Sequence, residues 1–316
     1  MAQTKQAPAA TSIRVQAPPA TQQRPFMSRA RPYLLVSPAL LLTIGIIYPF
    51  VLSFIYSLQV YNLSFPLGRH FVGFANYWTL FRDPMFYTAV AVTFAYTAAA
   101  VGVELVLGMI IASLLNRDSL LTKILRPLLI LPLMVAPAVG SLMWKLMTNS
   151  EFGFMNWLLM PFGLRNFPWG SAPGTALLTV VIVDVWIFTP FMALLLLAGL
   201  KALPQEPFEA ARMDAASPWF TFRTLTLPML LPYILIAVLF RTLDSLQQFD
   251  IIYAMTQGGP GNALMNFQLQ AYLQSFTYLN VGLSATLLMI LWAITYVLSQ
   301  GLVWYLNRTR SRLRGA

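Results

Sequence analysis

The residues of this 316-residue chain that could do chemistry are few, and their types favour binding over bond-breaking. There is no cysteine, so disulfides, thiolate metal sites and a cysteine nucleophile are excluded. The single histidine, His70, cannot build a metal site or a catalytic triad alone and reads as a solvated loop residue. No Gly-x-x-x-x-Gly-Lys run occurs, so the chain has no phosphate-cradling loop, and any energy for moving a solute must come from a partner or a gradient. What remains is a polar group at the end of an apolar run: Gln247, Gln248, Phe249, Asp250 and Tyr253, with Gln268, Tyr272 and Asn280 across the glycine-rich loop TQGGPGN. Amides and carboxylates beside aromatic faces suit a hydroxyl-rich ligand such as a sugar. The same residue types also line the boundary between lipid and water, and spacing alone leaves both readings open.

A second set of polar residues lies inside apolar runs: Glu104, Asp184, Arg241 and Asp244, with Lys145 near an end. Each costs about 2.5–3.5 kcal/mol at the centre of a membrane helix, so each is expected to face a bundle interior or water. Arg241 and Asp244, three apart on one helix, are expected to satisfy each other. Glu104 and Asp184 fit either structural pairing or a polar path. An alternative function follows from the latter, a proton-coupled secondary transporter working through those two acids.

The elements that must position these residues are membrane helices. The composition is 58% hydrophobic and only 9% charged, far from the roughly 25% charged content of soluble domains. Apolar runs near or beyond the ~20 residues needed to cross a bilayer predict six spans, at Tyr33–Leu58, Phe86–Leu115, Pro127–Trp144, Thr175–Leu200, Pro228–Leu246 and Val281–Leu306. The segment Met147–Gly174 is expected to be an irregular or partly helical interfacial loop. Residues 1–31 read as a disordered basic tail, 32–307 as the transmembrane domain and 308–316 as a second basic tail. The net charge of +10 does not point to nucleic acid, because the basic residues flank the apolar runs. Fifteen Lys and Arg fall in the two tails, the Asn116–Arg126 link and the polar loop after the fourth span, against three (Arg69, Arg82 and Arg165) on the other side. That asymmetry predicts both termini and the polar loop in the cytoplasm.

That loop, residues 203–228, interrupts the apolar pattern. Pro207 suits a first helical turn, Glu206 and Glu209 favour its positive end, and Ser217-Pro218 reads as a second helix start. The loop resembles that of binding-protein-dependent ABC importer permeases, whose pattern is Glu-Ala-Ala, three residues, Gly, nine residues, an apolar residue, any residue, Leu-Pro. Glu209, Ala210 and Ala211 match the opening, Asp214 the residue before the glycine, and Leu225, Leu227 and Pro228 the close. Ala215 stands where the glycine belongs; if that position has positive φ, alanine is less comfortable there by about 1 kcal/mol. The Gly-Gly-Pro loop resembles the maltose-type permeases of this family, in which Gln247 and Gln248 would occupy sugar-contacting places. The resemblance implies an all-α, six-span importer-permease fold in the bacterial cytoplasmic membrane. It implies a chain that catalyses no covalent step and binds no cofactor of its own. ATP and Mg²⁺ would be held by two ATPase subunits, with Glu209 meeting a basic group on one of them. A second homologous permease and an external solute-binding protein complete the implied assembly, and the substrate would be a small sugar.

Overall fold

The computed structural model describes residues 26–117, 119–163 and 167–314, with side chains for 36–117, 119–163 and 167–311. Most of the N-terminal tail and Arg165 lie outside the described residues. The chain divides into two units, residues 1–50 and 51–316. In the first, Phe26–Phe50 is helical and forms the start of α1 (Phe26–Ser57), so the helix begins ahead of the expected Tyr33.

The second unit opens with the end of α1, a hairpin of β1 (Gln59–Val60) and β2 (His70–Phe71), and the short helix α2 (Ala75–Arg82). His70 is exposed in that hairpin. The long helix α3 (Pro84–Leu115) starts where Asp83 accepts a hydrogen bond from the Met85 amide at 2.9 Å, and Pro84 sits in the first turn, where no amide is needed. The third expected span is not one helix. Helix α4 (Leu120–Ile130) and α5 (Pro137–Met147) meet at a 92° bend. Pro137 explains it: proline cannot donate into the ladder and drives the residue before it out of the helical region, as at Ala136 with ψ of 131°. After α6 (Phe154–Leu159) comes α7 (Pro173–Lys201). The polar loop forms α8 (Glu206–Met213) and α9 (Pro218–Thr221). A π-helical turn, Phe222–Thr226, then joins α9 to α10 (Leu227–Leu246), so the fifth span reaches back to Pro218. Short helices α11 (Asp250–Thr256) and α12 (Phe267–Tyr272) flank the glycine-rich loop. The last helix, α13 (Val281–Arg314), carries the described part of the expected basic tail as continuous helix. Among the described residues five helices are long and apolar enough to cross a membrane, and six spans result if the bent pair is one of them.

Packing follows from small residues as much as large ones. The α3–α7 pair makes the most extensive helix contact, and at Gly108 a Cβ would come within 2.8 Å of Met192 Cγ. At Gly199 of α7 a Cβ would meet Tyr233 of α10 at 2.7 Å. Without a hydrophobic force between helices in lipid, this close backbone approach supplies the dispersion contacts that hold them. The buried cluster shared by α3, α7 and α10 includes Met192, Leu196, Leu200, Leu203 and Leu230, with Phe208 of α8 packed against it.

Candidate functional site

Three sets of candidate residues stand on this frame. The first is the α8–α9 knob. Glu206 and Glu209 sit in the first turn of α8, Pro207 is tolerated there, and Glu209 and Ala210 are exposed while Ala211 is half-buried. The helix ends in a Schellman motif: the Ala216 amide donates to the Ala211 carbonyl at 2.9 Å and the Ala215 amide to Arg212 at 3.1 Å. Ala215 itself has φ of +53°, the left-handed conformation that normally selects glycine. The position therefore requires positive φ, and alanine holds it under strain. Asp214 is the residue before it and is exposed. Ser217 then caps α9, accepting from the Phe220 amide at 3.2 Å. Leu227 and Pro228 form the first turn of α10, both exposed. Sequence reading missed the apolar part of this surface: Met213 is 87% exposed, Trp219 69% and Phe220 57%. Two aromatic residues inside a polar loop were the available signal. On the other side of α8, Phe208 packs against the cluster that α3, α7 and α10 share.

The second set is a charged hub. Arg241 of α10 lies with Nε 2.7 Å from Glu104 Oε2 of α3, and its Nη2 donates to Glu104 Oε1 at 3.1 Å and to Asp184 of α7. Its Nη1 donates to Asp244 Oδ2 at 2.7 Å, and the Phe188 ring covers the guanidinium 4.0 Å from its centroid. Glu104, Asp184 and Arg241 are all buried. The local Arg241–Asp244 pair expected from spacing forms, but it is one arm of a network joining three spans. Glu104 and Asp184 close on the arginine instead of lining an open polar path. Lys145, near the end of α5, donates to the Ala254 carbonyl at 3.2 Å.

The third set is the polar end of α10, and the structure divides it. Gln247, Gln248 and Asp250 line a cavity of about 380 Å³ with Pro137, Phe188, Phe240, Leu243, Asp244 and Phe249. Gln268 and Tyr272 line a separate cavity of about 190 Å³ with Ser275 and Phe276, and Phe249 forms a wall of both. Tyr253 lines neither. It stacks on Phe249 with ring centroids 5.0 Å apart and meets Tyr272 edge-on at 5.2 Å. A hydrogen bond with Tyr253 raises the Tyr272 phenol above its ordinary pKa. Asn280 joins no pocket here and instead caps α13, accepting from the Leu283 amide at 3.2 Å. Among the residues of the larger cavity Gln248 stands out: its side chain is buried, and its Nε2 has no hydrogen-bond partner among the described residues. Buried amide donors are normally satisfied.

Comparison with known proteins bears on this architecture. Residues 104–311 match the family model described as binding-protein-dependent transport system inner membrane component. A probable ABC transporter permease protein of Sinorhizobium fredii is 38% identical over 86% of this chain and 87% of its own length. The trehalose/maltose transport system permease protein of Thermococcus litoralis is 38% identical over 79% of this chain and 83% of its own. The crystal structure of a bacterial ABC transporter involved in the import of the acidic polysaccharide alginate superposes with a TM-score of 0.77 at 16% identity, over 89% of this chain and 97% of that one, a likeness of fold. A chain of five or six apolar spans with a strained Glu-Ala-Ala knob, matched to that family over about two-thirds of its length, belongs to the inner-membrane components of binding-protein-dependent transport systems, the permeases of ABC importers.

Proposed function

We propose that this chain is one of two permease subunits of an importer that carries a small neutral carbohydrate, of the trehalose or maltose kind, across a bacterial cytoplasmic membrane. The single observation that carries the carbohydrate reading is the lining of the larger cavity, where the amides Gln247 and Gln248 stand with the carboxylates Asp244 and Asp250 beside the Phe188, Phe240 and Phe249 rings. A sugar hydroxyl both accepts and donates, which suits an amide donor beside carboxylate acceptors. The trehalose/maltose permease relative supports the same class of substrate.

The chain works without making or breaking a covalent bond. ATP and Mg²⁺ act on two partner ATPases, which grip α8 through Glu209 and the exposed Met213, Trp219 and Phe220. Phe208 passes that movement to α3, α7 and α10, and the Arg241 hub keeps these three spans moving together. The cavity then opens alternately to the outside, where a solute-binding protein delivers the sugar, and to the cytoplasm. The basic flanks of the spans orient both termini and α8 inward.

Reconstitution of the complete transporter in proteoliposomes tests this. Accumulation of a neutral disaccharide should require ATP on the α8 side and the solute-binding protein on the other. Accumulation that follows a proton gradient without ATP would refute it.

A further inference from the structure

The charges around the larger cavity bear on which carbohydrates it accepts. Two carboxylates, Asp244 and Asp250, line it, and no lysine or arginine does. The nearest cation, Arg241, is turned inward: Nε and Nη2 meet Glu104 and Asp184, and Nη1 meets Asp244. Its side chain is 1% exposed whereas that of Asp244 is 57% exposed. The arginine therefore grips Asp244 from behind, through Oδ2 alone. Oδ1 has no protein partner among the described residues and is left to the cavity.

We propose that Asp244 is a specificity residue of this cavity, positioned by Arg241, whose outward oxygen accepts a hydroxyl of an uncharged sugar while the carboxylate pair turns anionic sugars away. The proposal rests on the carbohydrate reading above and narrows it. Asp244 as acceptor and the glutamine amides lining the same cavity together match the two hydrogen-bonding roles of a hydroxyl. A charged acceptor makes the stronger kind of hydrogen bond, and a residue already fixed by an ion pair loses little freedom in making it. A phosphate, sulfonate or uronate entering the same space would face two like charges and no guanidinium, because the one at hand is already ringed by acids.

The test uses the complete transporter in nanodiscs without its external binding protein, so that the permease's own preference is read. Binding of trehalose, maltose and their 6-phosphates is followed by saturation-transfer difference NMR. The wild type is expected to bind at least one neutral sugar and to bind its 6-phosphate at least about tenfold more weakly. In Asp244→Ala the neutral sugar should weaken by about tenfold. With one carboxylate gone and Nη1 released, the preference for neutral over anionic ligand should also narrow by about tenfold or more. Asp244→Asn, of nearly the same volume, carries the test if the alanine variant fails to assemble, and should narrow the preference too. A wild type that binds the 6-phosphate as well as the sugar overturns the proposal. So do assembled variants whose affinities and preference are unchanged. In either case, persisting ATP-driven uptake of neutral sugar leaves the carbohydrate reading intact. Absence of both binding and ATP-driven uptake for every neutral sugar in the wild type overturns the two together.

Discussion

The helical stretch Pro218–Leu246 treats its two ends in opposite ways. Near the start, Trp219 and Phe220 are large, apolar and exposed, and Met213 of the preceding helix joins them. Near the finish, Arg241 is charged and almost wholly buried. Each end inverts the usual rule of apolar inside and charged outside. The inversions are resolved differently. Arg241 finds its partners within the chain, on α3, on α7 and one turn along its own helix, so the hub is complete in a single subunit. At the knob Trp219 stacks on Phe222, yet Met213, Trp219 and Phe220 keep most of their surface exposed, and exposed apolar surface of this kind marks a site for a partner or for lipid. The contrast is thus between a charge satisfied inside the subunit and apolar surface left open, with Phe208 and the shared Leu200–Leu203–Leu230 cluster between them.

Substitutions can break this contrast. The largest effect is expected for Arg241→Met, which strands Glu104 and Asp184 without a counter-charge inside the bundle. Removing one partner of a buried ion pair costs about 3–5 kcal/mol, so the purified subunit should unfold at markedly lower temperature or fail to accumulate. Adding Glu104→Gln and Asp184→Asn to the same chain should recover most of the loss, because replacing a whole buried network by neutral groups is far milder than breaking it. Single-variant thermal midpoints equal to wild type would show that the hub carries no structural weight. The next effect belongs to the other end. Glu209→Lys should leave the subunit's thermal midpoint within about 0.5 kcal/mol of wild type, as expected of an exposed site. Stimulated ATP hydrolysis and sugar uptake should nonetheless fall about tenfold or more, since truncating an interfacial charge pair costs roughly 2 kcal/mol or more and reversal adds repulsion. Loss of stability instead of coupling in that variant would erase the contrast between the two ends.

How much of this was legible in the sequence depended on the range of the physics. Local rules carried far: Ser217-Pro218 starts a helix where proline and cap chemistry place it, and the apolar runs mark α3, α7, α10 and α13. The bend between α4 and α5 was encoded in Pro137, but hydropathy counts apolar residues without regard to backbone, and so joined the halves into one span. The Arg241–Asp244 pair was visible because it is three residues long. Its links to Glu104 and Asp184 run 137 and 57 residues along the chain and exist only once α3 and α7 pack on α10. The polar end of α10 was found, yet its division into two cavities was not, since that depends on where the Phe249 ring falls between Gln248 and Tyr272. Asp244 was credited to the ion pair alone, and nothing in the spacing indicates that it also faces the cavity.

The smallest expected effect concerns the turn that sets the knob's shape. Ala215 lies at φ of +53° at the end of α8, where its Cβ crowds the neighbouring carbonyl and where both Schellman hydrogen bonds nevertheless form. Glycine at this position removes the steric penalty, although it adds freedom to the unfolded chain that must be given up on folding. The steric term wins where φ is positive, so Ala215→Gly should raise stability by about 0.5–1 kcal/mol. A rise in the thermal midpoint with uptake unchanged would mean that the alanine is tolerated strain in a turn of fixed geometry. Ala215→Val works in the opposite direction, because a β-branched side chain is still less compatible with left-handed backbone, and should lower the midpoint and loosen α8 from Phe208 inward. If both variants match the wild type in stability and in coupling, the turn is not held by its backbone at all. The ATPase surface against which α8 rests would then be what fixes its shape.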